Sequence, residues 1–236
     1  MSKNLIVQYW IGKEEPYIQI SKRKFQEYAE RHGADYEYTN RLTWATEPYF
    51  ENLKVIYSQK YEEYDKILYV DVDVIPDNME ENIFDVDVKD IGMVPEYRAE
   101  GMNADPLFMT PSLYNAYGSA CTRWGLSVTR PYSVKAPYLM FNSGVILWTK
   151  KGRKKARERF GQWLKWNRDF AMHRHICLDQ PYINAMVTNH LDYTELPLKW
   201  NHFPRFRFYE GQCPEDINFI HYTGGKKQFI EELHGD

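Results

Sequence analysis

Tyr64-Asp65-Lys66-Ile67-Leu68-Tyr69-Val70-Asp71-Val72-Asp73 is the stretch on which the reading of this chain turns. Lys66 to Val70 reads as a short buried strand that stops on two acids. In an open α/β sheet, ligands bind beyond the carboxyl ends of the strands. Asp71 and Asp73 stand at such an end, two residues apart, so their carboxylates share one side of the chain. Paired hard oxygen donors suit Mg²⁺ or Mn²⁺, with phosphate oxygens filling the remaining positions. The same two acids could also simply end the strand.

Outward from this stretch, the spacing predicts alternating elements. Leu5 to Trp10 reads as a buried strand, and Tyr17 to Arg31 as a helix with Tyr17, Ile20, Phe25 and Tyr28 on one face. His32-Gly33 ends that helix, Asp35 to Tyr38 alternates as a strand, Phe50 to Tyr64 is helical, and Ile91 to Val94 is a strand. The order β-α-β-α-β-β predicts a mixed, mostly parallel central sheet flanked by helices. From residue 97 to 137 the pattern dissolves into Pro, Gly, Asn and Tyr, read as long loops and short helices walling the sheet edge. A strand from Leu139 to Trp148 is expected to break at Asn142-Ser143-Gly144. Helices over 151–170 and 179–189 and a strand from Ile217 to Tyr222 complete the pattern. No repeat or linker divides the chain, which reads as a single domain over 1–236.

Composition narrows the function classes. The 236 residues carry a net charge of −3, which argues against broad nucleic-acid binding. An anionic substrate would need a local device such as a metal ion or a few placed cations. Cys121, Cys177 and Cys213 lack metal-ligand spacing, and their odd number fits a reducing compartment. The opening Met1-Ser2-Lys3-Asn4 reads as the start of the fold rather than a leader, and no apolar run approaches the ~20 residues of a membrane span, so a cytoplasmic protein is expected. The helix start at 150–159 carries Lys150, Lys151, Arg153, Lys154, Lys155, Arg157 and Arg159. Such a face could touch anionic lipid weakly or be merely solvated.

Further motifs follow Asp71-Val72-Asp73 in order: Phe141-Asn142-Ser143-Gly144-Val145, Leu178-Asp179-Gln180-Pro181, Leu196-Pro197 with Trp200-Asn201, and His221-Tyr222-Thr223-Gly224-Gly225-Lys226-Lys227. Leu53-Lys54 precedes Asp71 by 17 residues. With these motifs the chain resembles the GT-A fold retaining glycosyltransferases of family 8, which include glycogenin, the lipopolysaccharide galactosyltransferases and small viral members. The resemblance implies transfer of a hexose from a UDP-sugar to a glycan, lipid or protein acceptor, with retention of anomeric configuration. It implies Asp71, Asp73 and His221 as metal ligands, and the added imidazole favours Mn²⁺ over Mg²⁺. Gly224 and Lys227 would meet the pyrophosphate, while Gln8, Tyr9 and Val72 would lie beside the nucleoside. Lys54, Asn142 and Ser143 would frame the donor sugar, Asp179 would bind its hydroxyls, and Gln180 would approach the anomeric carbon. Residues 1–95 would form the nucleotide-binding half, and 96–236 the half that receives the acceptor and completes the metal and pyrophosphate site.

Other chemistries remain. A haloacid-dehalogenase-type phosphatase also begins with a strand and Asp-x-Asp, but near its N-terminus and with Thr where Ile75 stands here. A nucleotidyltransferase would open with a Gly-rich basic loop, of which Ile11-Gly12-Lys13 offers little. A non-catalytic nucleotide-sugar or glycan-binding module would need no such metal and pyrophosphate set.

Overall fold

The computed structural model describes residues 2–95, 111–128, 139–170, 178–203, 216–223 and 226–235. Its strands are β1 (Asn4–Tyr9), β2 (Asp35–Thr39), β3 (Lys66–Val70), β4 (Val74–Pro76), β5 (Ile91–Pro95), β6 (Phe141–Thr149), β7 (Tyr193–Glu195) and β8 (Phe219–His221). The α-helices are α1 (Pro16–Arg31), α2 (Lys54–Tyr57), α3 (Pro111–Arg123), α4 (Lys150–Arg159), α5 (Trp163–Asp169), α6 (Asp179–His190) and α7 (Gln228–His234).

Six strands form one sheet in the order β2-β1-β3-β6-β5-β7. All neighbours run parallel except β6, which is antiparallel to both β3 and β5. The sheet is therefore mixed and mostly parallel, as expected. Period-two alternation divides the strand residues between two cores. Ile67, Tyr69, Ile146 and Trp148 pack on one face against Phe160, Trp166 and Tyr182. Leu68, Val70, Val145 and Leu147 pack on the other against Phe25, Tyr28 and Trp200. Burial on both faces is why β3 reads as unbroken rather than alternating.

The second sheet, β4 with β8, positions the site. Val74 pairs with His221 and Ile75 with Ile220, so a strand near the C-terminus lies antiparallel to the segment just after Asp73. Three-residue strands leave little periodicity to read, and β4 and α7 were not anticipated.

Several expectations need correction. The helix expected over 50–64 is three short pieces, with 3-10 turns at Pro48–Leu53 and Gln59–Tyr61 around the four residues of α2. Tertiary bonds override helix propensity there. Buried Glu51 accepts the N–H groups of Thr43, Trp44 and Ala45 at 3.1, 3.2 and 2.8 Å. The helix expected over 151–170 breaks into α4 and α5 at Gln162, whose φ of 65° is left-handed. Tyr57 and Tyr182 hydroxyls bond the carbonyls of Phe160 and Gly161 at that break. β6 is continuous through Asn142-Ser143-Gly144, and the register shift lies on β5 between Met93 and Pro95. The unpatterned segment contains the 13-residue helix α3, and much of the remainder lies outside the described residues.

The basic cluster on α4 is largely consumed by the fold. Arg153 donates to the carbonyls of Tyr61 and Tyr64, and Arg157 to that of Ile56. Lys155 and Lys151 lie 2.6 and 3.5 Å from the buried carboxylate of Asp90. A Cβ on Gly152 would stand 1.7 Å from the Asp90 carbonyl oxygen, so glycine lets the helix start sit directly on that loop. Among the described residues, no helix is long and apolar enough to cross a membrane.

Candidate active site

Where β3 ends, the chain turns sharply and is clamped on both sides. Asp71 N–H donates to Gly144 O on β6 at 2.9 Å, and Tyr222 N–H donates to Asp73 O at 2.8 Å. Between the acids, Val72 packs with Tyr17, Ile75 and Tyr222. The apolar residue anchors the turn while its neighbours aim outward. A cavity of about 340 Å³ opens there, lined by Tyr9, Tyr69, Asp71, Val72, Asp73, Ser143, Asp179 and Lys227, with Trp10, Ile11, Pro48 and Tyr49 among the rest of its wall. That size suits a small-molecule ligand.

The two carboxylates meet the imidazole that β8 delivers. One ligand atom from each of Asp71, Asp73 and His221 lies within 4.8 Å of the others. His221 Nε2 stands 3.2 Å from Asp73 Oδ1 and 3.9 Å from Asp71 Oδ2, and Lys227 Nζ is 3.0 Å from Asp73 Oδ2. Burial and the charge of Asp73 raise the Asp71 carboxyl. Burial opposes ionisation of Asp73 too, but His221 and Lys227 outweigh it and hold that carboxyl down. Burial likewise pushes Asp179 up, to about 7, helped by the charge of Asp71. Three acids crowding one cavity resist ionising together, and a divalent cation would relieve that repulsion. The donor set of two carboxylates and one imidazole therefore fits a Mn²⁺- or Mg²⁺-type ion.

Glycine is required at position 144. A Cβ there would stand 2.3 Å from His221 Cε1 and 2.9 Å from Asn142 Oδ1. The Asn-Ser-Gly glycine thus clears the space the histidine ring occupies, rather than kinking the strand.

The structure separates the expected contact residues into those on the cavity and those behind it. Tyr9, Val72, Ser143, Asp179 and Lys227 line it. Gln8 does not: it is buried, donates to Ser21 Oγ and the Asp71 carbonyl at 3.0 and 3.2 Å, and accepts from the Tyr36 hydroxyl. Lys54 lines a small adjoining pocket and pairs with Glu37 and Glu51 at 3.6 and 4.0 Å. Asn142 and Gln180 are not among the lining residues but are bonded to Ser143, which is. Gln180 Oε1 accepts from Ser143 N at 3.1 Å and Asn142 Nδ2 at 3.3 Å, so its carbonyl oxygen is turned onto β6. Gly224 lies outside the described residues.

Three residues joined to the site were not anticipated for it. Tyr69 donates to Asp71 Oδ1 at 2.6 Å, Asn52 Nδ2 to Asp179 Oδ2 at 2.7 Å, and Asn201 Oδ1 faces His221 Nδ1 at 3.0 Å. Asp179 itself is the first residue of α6 and does not cap it. Two of them had a sequence signal: Tyr69 stands two residues before Asp71 and so on the same side of the strand, and Asn201 ends the Leu196-Pro197…Trp200-Asn201 motif, which assigned it no role.

No curated protein matches the chain. Solved structures do. A glycosyltransferase involved in glycosylation of the major capsid of PBCV-1 aligns over 98% of both chains at 17% identity, with a TM-score of 0.59. An active-site mutant of LgtC aligns over 98% of this chain and 95% of its own at 14% identity, with a TM-score of 0.50. GlyE of Streptococcus pneumoniae TIGR4 aligns over 98% of this chain but 60% of its own, at 13% identity and a TM-score of 0.50. At such identities the likeness shows a shared fold, that of GT-A glycosyltransferases. The family model for glycosyl transferase family 8 matches residues 12–228, from just after β1 to the start of α7. A match over nearly the whole chain, on this fold, means that the protein is a glycosyltransferase and belongs to glycosyltransferase family 8.

Proposed function

We propose that the protein transfers a hexose from a UDP-sugar to a hydroxyl of a glycan-type acceptor, with retention of configuration, using a divalent cation, Mn²⁺ in preference to Mg²⁺. The observation that carries this reading is the convergence of Asp71, Asp73, His221 and Lys227 at a cavity that Asp179 and Ser143 also line. The first four offer ligands for a cation and a lysine for a diphosphate. Asp179 and Ser143 offer a carboxylate and a hydroxyl for sugar hydroxyls.

Asp71, Asp73 and His221 would hold the ion, which when bound supplies positive charge against the charge growing on the leaving diphosphate. The Lys227 ammonium stands where it adds to that stabilisation. Tyr69 fixes the Asp71 carboxylate through its 2.6 Å bond, and Asn52 fixes Asp179. The aromatic rim of Trp10 and Tyr49 is suited to a nucleoside or sugar face. In the transfer, the C1–O bond to the diphosphate breaks and a C1–O bond to the acceptor oxygen forms on the same face. The acceptor proton passes to the departing phosphate oxygen. Gln180, with its carbonyl oxygen bonded to Ser143 and Asn142, would brace the Ser143 wall close to the anomeric carbon and would not act as a base.

Calorimetry with UDP in Mn²⁺ and in EDTA tests the metal. Binding should weaken at least tenfold on chelation, and equal affinity would remove the ion from the model. A panel of nucleotide-sugars, scored by proton NMR of the product, tests donor and stereochemistry, with an α-linked product expected from an α-linked donor.

A further inference from the structure

Behind the carboxylates runs a row of buried amides whose polarity is set by the backbone. Gly144 N–H donates to Asn142 Oδ1 at 2.8 Å, and a peptide N–H can only donate. The Asn201 side chain reaches the same oxygen at 2.9 Å and must therefore present Nδ2 to it. Its other atom, Oδ1, is then the acceptor 3.0 Å from His221 Nδ1. An acceptor at Nδ1 puts a proton there and turns the lone pair of Nε2 toward Asp73 and Asp71. All three side chains are at least nine-tenths buried, so water does not compete for these bonds.

We propose that Asn201 is a positioning residue for metal binding: it holds the His221 proton on Nδ1 and so presents Nε2 to the cation. The inference rests on the metal reading above and adds the group that decides which ring nitrogen faces the ion. Asn201 is well placed for this. It follows the 3-10 turn Leu198–Trp200, and its neighbour His202 exchanges backbone bonds with β8, N–H to Phe219 O at 2.9 Å and O from His221 N–H at 2.7 Å. The residue that carries the amide and the residue that carries the imidazole are thus held by adjoining backbones. Partners of this kind govern metal affinity, and losing one typically costs about 10- to 100-fold.

Two measurements on the full chain without donor test the role. Mn²⁺ binding, followed by electron paramagnetic resonance of the free ion, should weaken about 10- to 100-fold in Asn201→Leu. Asn218→Leu, which removes a fully buried amide bonded to Asn78 and Glu81 instead, should lower the melting temperature and leave Mn²⁺ affinity unchanged. Nitrogen-15 NMR of the wild type loaded with ¹¹³Cd²⁺ should show metal coupling at His221 Nε2 and a proton on Nδ1, a readout that needs no variant to fold. Coupling at Nδ1 or unchanged affinity in Asn201→Leu would overturn the role and leave the metal reading standing. A wild type that binds neither ion would overturn the metal reading, and this role with it.

Discussion

Gly144→Ala adds one methyl group, and its consequences follow from measured distances. The new Cβ would lie 2.3 Å from His221 Cε1, 2.9 Å from His221 Nδ1 and 2.9 Å from Asn142 Oδ1. Carbon atoms rest comfortably at about 3.5 Å, so the ring would have to retreat by about 1 Å. Little can yield. Nδ1 is tied to Asn201, and Phe203 stands against the ring with centroids 5.2 Å apart. Asn142 Oδ1 is held by Asn201 and by the N–H of Gly144 itself. If β6 moves instead, it carries Asp71, whose N–H bonds the Gly144 carbonyl. Either relaxation pulls the three ligand atoms apart. Overpacking of this kind costs about 1–3 kcal/mol, and a chain of this size loses about 2–4 °C of melting temperature per kcal/mol. Mn²⁺ affinity should fall about 10- to 100-fold and transfer by about 100-fold. Calorimetric melting, Mn²⁺ titration and turnover at saturating metal measure the three. The sign is diagnostic, because alanine for glycine at an ordinary strand position with negative φ is neutral or stabilising. A Gly144→Ala protein that melts at or above the wild-type temperature and binds Mn²⁺ equally well would refute the placement of His221 against β6.

Asn52→Ala removes the donor 2.7 Å from Asp179 and should lower donor kcat/KM by about 10- to 100-fold, the scale of one hydrogen bond to a charged group, with weaker discrimination between epimeric donors. Steady-state kinetics with two epimeric UDP-hexoses decides it, and unchanged selectivity would detach Asn52 from the sugar site. Gln180→Ala should slow transfer about 10- to 1,000-fold without changing the anomeric outcome. A β-linked product from either protein would refute retention. Asp90→Asn tests a stability term far from the cavity: burial opposes the Asp90 carboxylate, but Lys155 and the Asp192 N–H outweigh it and hold its pKa below the usual range. A lowered folded-state value means stability that is complete above the unfolded carboxylate pKa of about 4 and is lost as pH falls through the folded one. The wild-type advantage in urea melts should therefore be about 2 kcal/mol near neutrality and shrink below about pH 4; a gap that persists in acid would refute the ionic account.

How far these features could be read from sequence depends on the range of the contacts that make them. β3 was legible because Ile67, Leu68, Tyr69 and Val70 are buried on both faces, and residues covered on both sides must all be apolar in body. The segment 50–64 was misread because helix propensity is a local quantity, whereas Glu51 binds the preceding loop and Asn52 reaches Asp179 across 127 residues. The basic run on α4 offered a solvated or lipid-facing surface to a sequence reader. In the fold, Asp90 and the carbonyls of Ile56, Tyr61 and Tyr64 take up four of its cations. Lys151 in the first turn of α4, unfavourable for the helix dipole alone, is offset by the Asp90 carboxylate that it and Lys155 face.

At the site, residue type was a better guide for charged groups than for amides, and the reason is physical. A carboxylate at a strand end, or a lysine three residues after a glycine, is costly to bury without a partner, so its placement implies an ion or an anion close by. An amide satisfies itself equally well against backbone, side chain or ligand. Gln8 could be read as a nucleoside contact, yet its two ends serve Tyr36, Ser21 and the Asp71 carbonyl, and it stiffens the turn after β3 from behind. Asn201 could be read as one letter of a motif, yet it faces the histidine. What distinguishes the two roles is the direction in which each amide points, and that direction is set by peptide N–H groups such as Gly144 and Ser143. The polar row from Gln180 through Asn142 and Asn201 to His221 therefore belongs to the backbone of β6 as much as to its own side chains. A shift of that strand would displace Asp71, His221 and Ser143 together.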